Sequence, residues 1–134
     1  MKRAEVNTFE KLVGQLMSLY DELTLLSKKN PNDAVNKFKL RLINKLLLQA
    51  NQFLGEKYLP FDDFESFDED DVPQNSDVVF IIAQYLQCFE KYRADNVKMN
   101  YNHWHWVLDP EPEEMPGKDG KVYIRTVRPK RLRE

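Results

Sequence analysis

Two histidines stand two positions apart in the segment His103-Trp104-His105-Trp106. Because side chains alternate between the two faces of a β-strand, a strand here would place both imidazoles on one face and both indoles on the other. Two imidazoles on one face would supply two ligands of a metal site, and Asp109 or a nearby acidic segment would have to supply a third. The chain has no HExxH motif and no cysteine cluster. We therefore predict no metal and no other cofactor, and we keep a metal-dependent enzyme at His103 and His105 as an alternative.

A single cysteine, Cys88, is the only candidate for a nucleophilic thiol. A reactive thiol needs a nearby base and a lowered pKa, but its closest charged neighbours in the sequence are Glu90 and Lys91. We expect Cys88 to be a buried structural residue. The four glycines form neither a glycine-rich phosphate-binding motif nor a nucleophile elbow. The sequence therefore favours a protein that is not an enzyme.

Seven acidic residues and no basic residue lie between Phe61 and Asp71. Phe61, Phe64 and Phe67 recur every three residues, so one helical turn would put the three rings on the same side. We expect a loop over residues 58–75 that is held to the protein by these rings, with its carboxylates outward. Three interpretations remain open: a solvated connection, a surface for a basic protein partner, and a weak site for a divalent cation. The carboxylates concerned are those of Asp68, Glu69, Asp70 and Asp71.

The formal net charge of −2 is a cancellation between oppositely charged regions. Residues 58–90 contain nine acidic residues and no Lys or Arg, whereas residues 118–134 contain seven basic residues and two acidic ones. The net charge excludes a uniformly basic nucleic-acid-binding protein, but it does not exclude one that has separate acidic and basic regions. The alternative function is a nucleic-acid-binding regulator, with Tyr123 and His103 as stacking candidates. Its phosphate-contacting residues would be Lys37, Arg41, Lys45, Arg125, Arg128, Lys130 and Arg131.

Apolar residues at steps of three and four predict helices at 5–28 and 31–54, joined as an antiparallel hairpin over residues 5–55. We expect Asn7 or Thr8 to cap the first helix, Asn30 to cap the second, and Gly55 to end the second in a left-handed conformation. A third helix is predicted at 77–95. The main apolar stripe of the second helix is predicted to be Val35, Phe38, Leu42, Leu46, Ala50 and Phe53.

The last third of the chain has the pattern of strands. Residues 103–108 alternate, and residues 121–127 follow the turn signal Asp119-Gly120, so we predict a β-hairpin over 103–127 with a long loop. Residues 128–134 are predicted to form a flexible basic tail. The 134 residues are expected to form a single domain of the α+β class, predominantly helical: a three-helix bundle with a C-terminal β-hairpin.

These observations favour a non-catalytic protein–protein interaction module, acting as a small accessory, inhibitor or immunity-type factor. One unpaired cysteine and no signal-peptide or membrane-spanning pattern predict a cytoplasmic protein without membrane contact. The wide apolar faces of the helices predict that another protein, or a second copy in a homodimer, covers part of them. The predicted partner-binding residues are Phe61, Phe64, Phe67, Asp68, Glu69, Asp70, Asp71, Trp104 and Trp106.

Overall fold

A computed structural model describes residues 1–130 and contains three helices followed by a three-stranded antiparallel sheet. The elements are α1 (Arg3–Lys29), α2 (Lys37–Tyr58), α3 (Asn75–Asn96), β1 (Val97–Asn100), β2 (His103–Leu108) and β3 (Val122–Arg125). The predicted class, a mainly helical α+β fold with a C-terminal hairpin, is confirmed. In the part of the chain described, no helix is both long and apolar enough to cross a lipid bilayer.

The start of α1 differs from the prediction because the cap is Lys2 rather than Asn7 or Thr8. The Glu5 carboxylate accepts a hydrogen bond of 2.8 Å from the Lys2 backbone N–H, which satisfies a donor that the first helical turn leaves free. A negative charge in the first turn also interacts favourably with the helix dipole. Val6, in the second turn after this start, is buried in the core.

The start of α2 was predicted at Pro31 and lies at Lys37 instead. Asn36 is the cap, and its side-chain oxygen accepts hydrogen bonds from the backbone N–H groups of Phe38 and Lys39. The preceding residues are not helical because their backbone is tied to the segment before α3: the Val35 N–H donates to the Pro73 carbonyl at 2.9 Å. Gly55 was predicted to end α2 in a left-handed conformation. It has the expected positive φ, +65°, and interrupts the helical geometry, but the prediction of the end was wrong because α2 continues to Tyr58.

The buried face of α2 is rotated away from the predicted stripe. Phe38 and Leu42 were placed in that stripe but are exposed, whereas Leu40 is fully buried. Apolar residues surround most of this helix, so periodicity alone could not select the face that meets the core. The buried residues of α2 are Leu40, Ile43, Asn44, Leu47, Ala50 and Leu54.

The core lies where α1, α2, α3 and the inner face of the sheet meet. Phe9 of α1 is at its centre, with its ring centroid 5.4 Å from that of Phe89 and 4.8 Å from that of Trp106. Phe53 of α2 lies 6.0 Å from Phe9, so one aromatic cluster joins all three helices to the sheet. Such tilted and edge-on ring pairs are the favourable geometries for aromatic side chains.

The sheet has the order β1-β2-β3, and the predicted pairing of β2 with β3 is confirmed. The strand β1 was not predicted, because Val97–Asn100 is short and has no clear alternation. It joins β2 through Tyr101 and Asn102, which both have positive φ, the geometry of a two-residue hairpin turn. That turn lacks the glycine that usually signals it in a sequence.

The expected flexible tail does not begin at residue 128. Pro129 is buried, and the backbone N–H of Lys130 donates a 3.0 Å hydrogen bond to Oε1 of Glu90 on α3. Residues 128–130 are therefore held against the helical layer. Arg131, one of the predicted phosphate contacts, lies outside the described residues.

Candidate functional site

The acidic segment, defined as residues 61–71, is clamped to α2 by side-chain amides. Asn44 donates from Nδ2 to the Phe67 carbonyl at 2.9 Å and accepts from the Phe67 N–H at 2.8 Å. Asn51 donates to the Glu65 carbonyl at 2.9 Å, and its own oxygen accepts a hydrogen bond from the buried Tyr85 hydroxyl. The segment is not helical, yet two amide side chains on one helix fix its backbone.

Three phenylalanine rings hold the same segment from within. The Phe61 and Phe64 centroids lie 6.0 Å apart and those of Phe64 and Phe67 lie 5.1 Å apart, both edge-on. Phe64 and Phe67 also pack against the core. The expectation of a loop held by these rings agrees with this arrangement, but two of the three rings are engaged inside the molecule.

The carboxylates of the acidic segment face solvent, and all seven acidic residues are exposed. In residues 1–130, one carboxylate of the segment forms an ion pair: Glu69 Oε1 lies 3.3 Å from Arg41 Nε. Asp68 accepts the Asp70 N–H in a local turn. Because amides and rings hold the backbone, the segment does not depend on its charges for its position, and most of those charges are available to a partner.

Replacing Asn44 with alanine is expected to loosen the acidic segment and to lower the free energy of unfolding by about 1–3 kcal/mol, since two partly buried polar groups of the Phe67 backbone lose their partner. Amide hydrogen exchange of the Phe67 N–H should become faster. Gln49→Ala, at a position of α2 away from the segment, is the control. Unchanged exchange at Phe67 in Asn44→Ala would contradict the clamp.

The outer face of α2, defined as Phe38 and Leu42, presents two large apolar side chains to solvent. They are 67% and 54% exposed, respectively. Both also line a groove between α1 and α2, whereas the acidic segment is bound to a different side of α2, at Asn44 and Asn51. Isolated exposed apolar residues are common, but two that stand one helical turn apart in the same groove form a patch.

The α1–α2 groove has a volume of about 940 Å³ and is lined by both apolar and polar residues. A Cβ placed on Gly14 would meet no atom within 4 Å, so α1 is open to the groove at this point. Two of the lining residues, Lys39 and Glu22, form an ion pair at 3.0 Å. The apolar lining consists of Gly14, Leu19, Phe38, Leu42, Ile43 and Leu46.

A second hollow of about 380 Å³ extends the groove and shares Lys11 and Gln49 with it. Together the two hollows follow α1 from Thr8 to Glu22, a rise of about 21 Å at 1.5 Å per residue. This length and the mixed lining suit an amphipathic helix laid along the seam. Sequence reasoning did not identify the groove, because it depends on which face of α2 is buried.

The predicted partner-binding residues do not form one surface. Phe61 and the carboxylates lie on the acidic segment, whereas the tryptophans lie on β2. Trp106 is 1% exposed and packs against Phe9, so it belongs to the core and cannot contact a partner in this structure. Trp104, on the same face of β2, is half-buried.

The predicted phosphate contacts are also separated. Lys37, Arg41 and Lys45 lie on the first half of α2, and Arg41 is paired with Glu69. The part of α2 that joins the aromatic cluster under the sheet is Phe53. Lys45, the last of the three basic residues, lies eight residues before Phe53, about 12 Å away along the helix. Arg125, on β3, therefore belongs to a different region of the molecule.

The outer face of the sheet brings both predicted histidines together, as their spacing indicated. Nη2 of Arg125 donates to Nδ1 of His103 at 2.8 Å, and the His105 ring lies 6.2 Å from the Tyr123 ring. A hydrogen bond to Asp119 raises the pKa of Tyr123 and lowers that of Asp119. Across residues 1–130, no group of three or more His, Cys, Asp or Glu side chains is placed to hold a metal ion.

Cys88 lies partly buried on α3, and burial raises the pKa of its thiol above the usual value. Burial also raises the pKa of Tyr85 to about 12. Both shifts favour the neutral form, the opposite of what a nucleophilic thiolate needs.

Comparison with known protein families, curated proteins and solved structures finds no match to this chain.

Proposed function

We propose that this protein is a non-catalytic binding module that docks an amphipathic helix of a partner protein on the outer face of α2 and in the α1–α2 groove. The observation that carries the proposal is the exposure of Phe38 and Leu42, which line part of a groove that follows α1 for about 21 Å. Helix-in-groove binding uses apolar side chains at helical spacing on the partner and an apolar floor on the receptor.

The acidic segment adds a second property to the same surface. Its exposed carboxylates lie on the other side of α2 from the groove, so a partner that covers the outer face of α2 approaches both. Negative charge in this place favours a partner with basic residues flanking its apolar stripe, and it accelerates encounter more than it adds affinity. The single free thiol fits a reducing compartment, and the cytoplasm is the proposed location.

The decisive variant is Phe38→Ser/Leu42→Ser, compared with the wild-type chain in co-purification from the native source and mass spectrometry. Leu25→Ser/Phe80→Ser is the matched control, because these residues are as exposed but lie on α1 and α3. A partner retained by wild type and control should lose at least about 30-fold in affinity with the decisive variant, since central apolar contacts dominate such interfaces. If no retained protein depends on Phe38 and Leu42, the proposal is wrong.

The contribution of the acidic segment is tested separately, by measuring binding to the partner that the co-purification identifies. Changing residues 68–71 to Asn and Gln should reduce the association rate at low salt and leave the dissociation rate nearly unchanged. A control with the same change in net charge replaces four exposed acids elsewhere: Asp21, Asp33, Glu56 and Glu113. If the occupant of this surface were instead a second copy of this chain, sedimentation would show a dimer that Phe38→Ser/Leu42→Ser converts to monomers. This outcome would replace the helical partner with self-association.

A further inference from the structure

The outer face of the sheet carries a row of basic and imidazole side chains that comes from all three strands. In the strand register, Lys98 of β1 is the Cα partner of His105, and His105 is the partner of Arg125 on β3. Partner residues on adjacent strands lie on the same face about 4.8 Å apart, so the row spans roughly 10 Å. We call Lys98, His103, His105, Tyr123 and Arg125 the basic sheet face.

The basic sheet face is the outer side of the sheet, because the opposite side packs on the helices. Trp106 and Leu108, which point inward from β2, are buried in the core, and Ile124 of β3 packs against it. On the outer side, Lys98, His103 and Arg125 are exposed, and His105 and Tyr123 are half-buried. Antiparallel sheets commonly have one face on the core and the other in solvent.

Hydrogen bonds at Nδ1 determine whether Nε2 of each neutral imidazole is a donor or an acceptor. Arg125 has only donors, so Nδ1 of His103 accepts from it and the neutral ring carries its proton on Nε2. Nδ1 of His105 donates to the His103 carbonyl at 2.9 Å, which leaves Nε2 of the neutral His105 ring as an acceptor. One ring therefore offers a donor and its neighbour an acceptor, beside the cations of Lys98 and Arg125.

Flat rings accompany these charges. The rings of His105 and Tyr123 meet edge-on, and the Tyr123 hydroxyl donates to the Asp119 carboxylate, which fixes the orientation of the phenol. Asp119 is the acid that the structure places beside Lys98 and Tyr123. The acidic segment, in contrast, is clamped to α2 in the helical layer behind the sheet. The net charge of −2 therefore does not describe the charge of this face.

We propose that the basic sheet face binds single-stranded nucleic acid, with Lys98 and Arg125 contacting phosphates and the rings of Tyr123 and His105 stacking on bases. Cations that follow the backbone together with rings that stack on unpaired bases are the combination used for single strands. Paired bases in a duplex do not expose their faces, which makes the single strand the occupant that this chemistry favours over duplex DNA. The site is independent of the α1–α2 groove and uses different residues.

The test is fluorescence anisotropy with labelled 12-mers of dT and of U, and with a 12-base-pair duplex, in 50 and 200 mM KCl. We expect the full chain to bind the single strands and to bind the duplex at least tenfold more weakly. Lys98→Gln/Arg125→Gln should weaken single-strand binding at least tenfold and make the slope of log K against log salt less steep by about 1.4, because two phosphate contacts are lost. Tyr123→Leu, which keeps an apolar side chain without a ring, should weaken binding about fivefold or more.

Lys37→Gln/Arg41→Gln is the matched control, since it removes one Lys and one Arg from the exposed surface of α2. Circular dichroism and thermal unfolding establish that each variant is folded before its binding is interpreted. The proposal is overturned if the wild-type chain binds neither single strand at 50 mM KCl, or if the α2 control weakens binding as much as the sheet variant. Equal affinity for the duplex, or no effect of Tyr123→Leu in a folded variant, would show binding of polyanions in general and would also overturn it.

Discussion

Replacing Arg93 with alanine is expected to lower the free energy of unfolding by about 3–5 kcal/mol, the usual cost of removing one partner of a buried ion pair. The side chain of Arg93 is 4% exposed, and its Nε lies 3.3 Å from Oε1 of the nearly buried Glu90, close enough for an ion pair although not aligned for a hydrogen bond. Nη1 donates to Oγ1 of Thr126 at 2.6 Å, which ties α3 to the chain after β3. Without the guanidinium, Glu90 would be left as a buried charge.

Packing adds to this cost because Arg93 fills space between rings. Its guanidinium lies 5.0 Å from the Phe9 centroid and 5.6 Å from that of Trp106, within the range of cation–π attraction. The alanine variant loses these contacts and leaves a cavity beside two of the largest core residues.

Urea denaturation of Arg93→Ala and of Arg93→Met/Glu90→Gln separates the two contributions. Methionine fills the space and glutamine removes the charge while it can still accept from the Lys130 N–H, so the double variant should recover at least half of the loss. Lys91→Ala, at the exposed ion pair with Asp95, is the control and should cost less than about 1 kcal/mol. A double variant as unstable as Arg93→Ala would mean that charge burial is not the main cause.

Trp106→Ala is expected to lower the free energy of unfolding by about 3–5 kcal/mol, and Trp104→Ala by less than half as much. Both indoles point to the inner face of β2, but Trp106 lies over the centre of the core, whereas Trp104 is half-buried and pairs across the strands with exposed Met99. The cavity left by Trp106 would border Phe9 and Tyr92, which are themselves fixed by the three helices.

Urea denaturation measures the two losses, and fluorescence identifies each indole because the chain has two tryptophans. Trp104→Ala leaves the buried Trp106 and should show the more blue-shifted emission of the two variants. Equal losses of stability for the two variants would contradict the placement of Trp106 in the core.

Helices and strands were predicted well from the sequence where a single local pattern dominates. The periodicity of α1, the alternation from His103 to Leu108, and the Asp119-Gly120 turn signal each act over a few residues, and the structure has these elements close to the predicted bounds. The start of α3 was likewise predicted within two residues, although its cap is Gln74. The acidic segment was predicted as a loop held by phenylalanine rings, because Phe61, Phe64 and Phe67 share a spacing.

Two of the errors, the buried face and the start of α2, arise from competition between local signals that only long-range contacts resolve; β1 was missed because its four residues carry no clear pattern. Leucines lie nearly all around α2, so the packing against the other helices decides which side is buried. Phe38 and Leu42 lie on the side that stays exposed. The Asn30-Pro31 pair has a good helix-start pattern, but backbone pairing of residues 33–35 with residues 73–75 prevailed.

The sequence by itself determined the three helices, the pairing of β2 with β3 and the segregation of charge, because periodicity, alternation and charge order are properties of neighbouring residues. Only the tertiary structure decided that Arg93 and Glu90 are buried together, that an open groove follows α1, and that Lys98 joins Arg125 on one sheet face. These features join residues that are distant in the sequence or depend on how whole helices pack. Their free energies therefore depend on the shared core, which no local pattern describes.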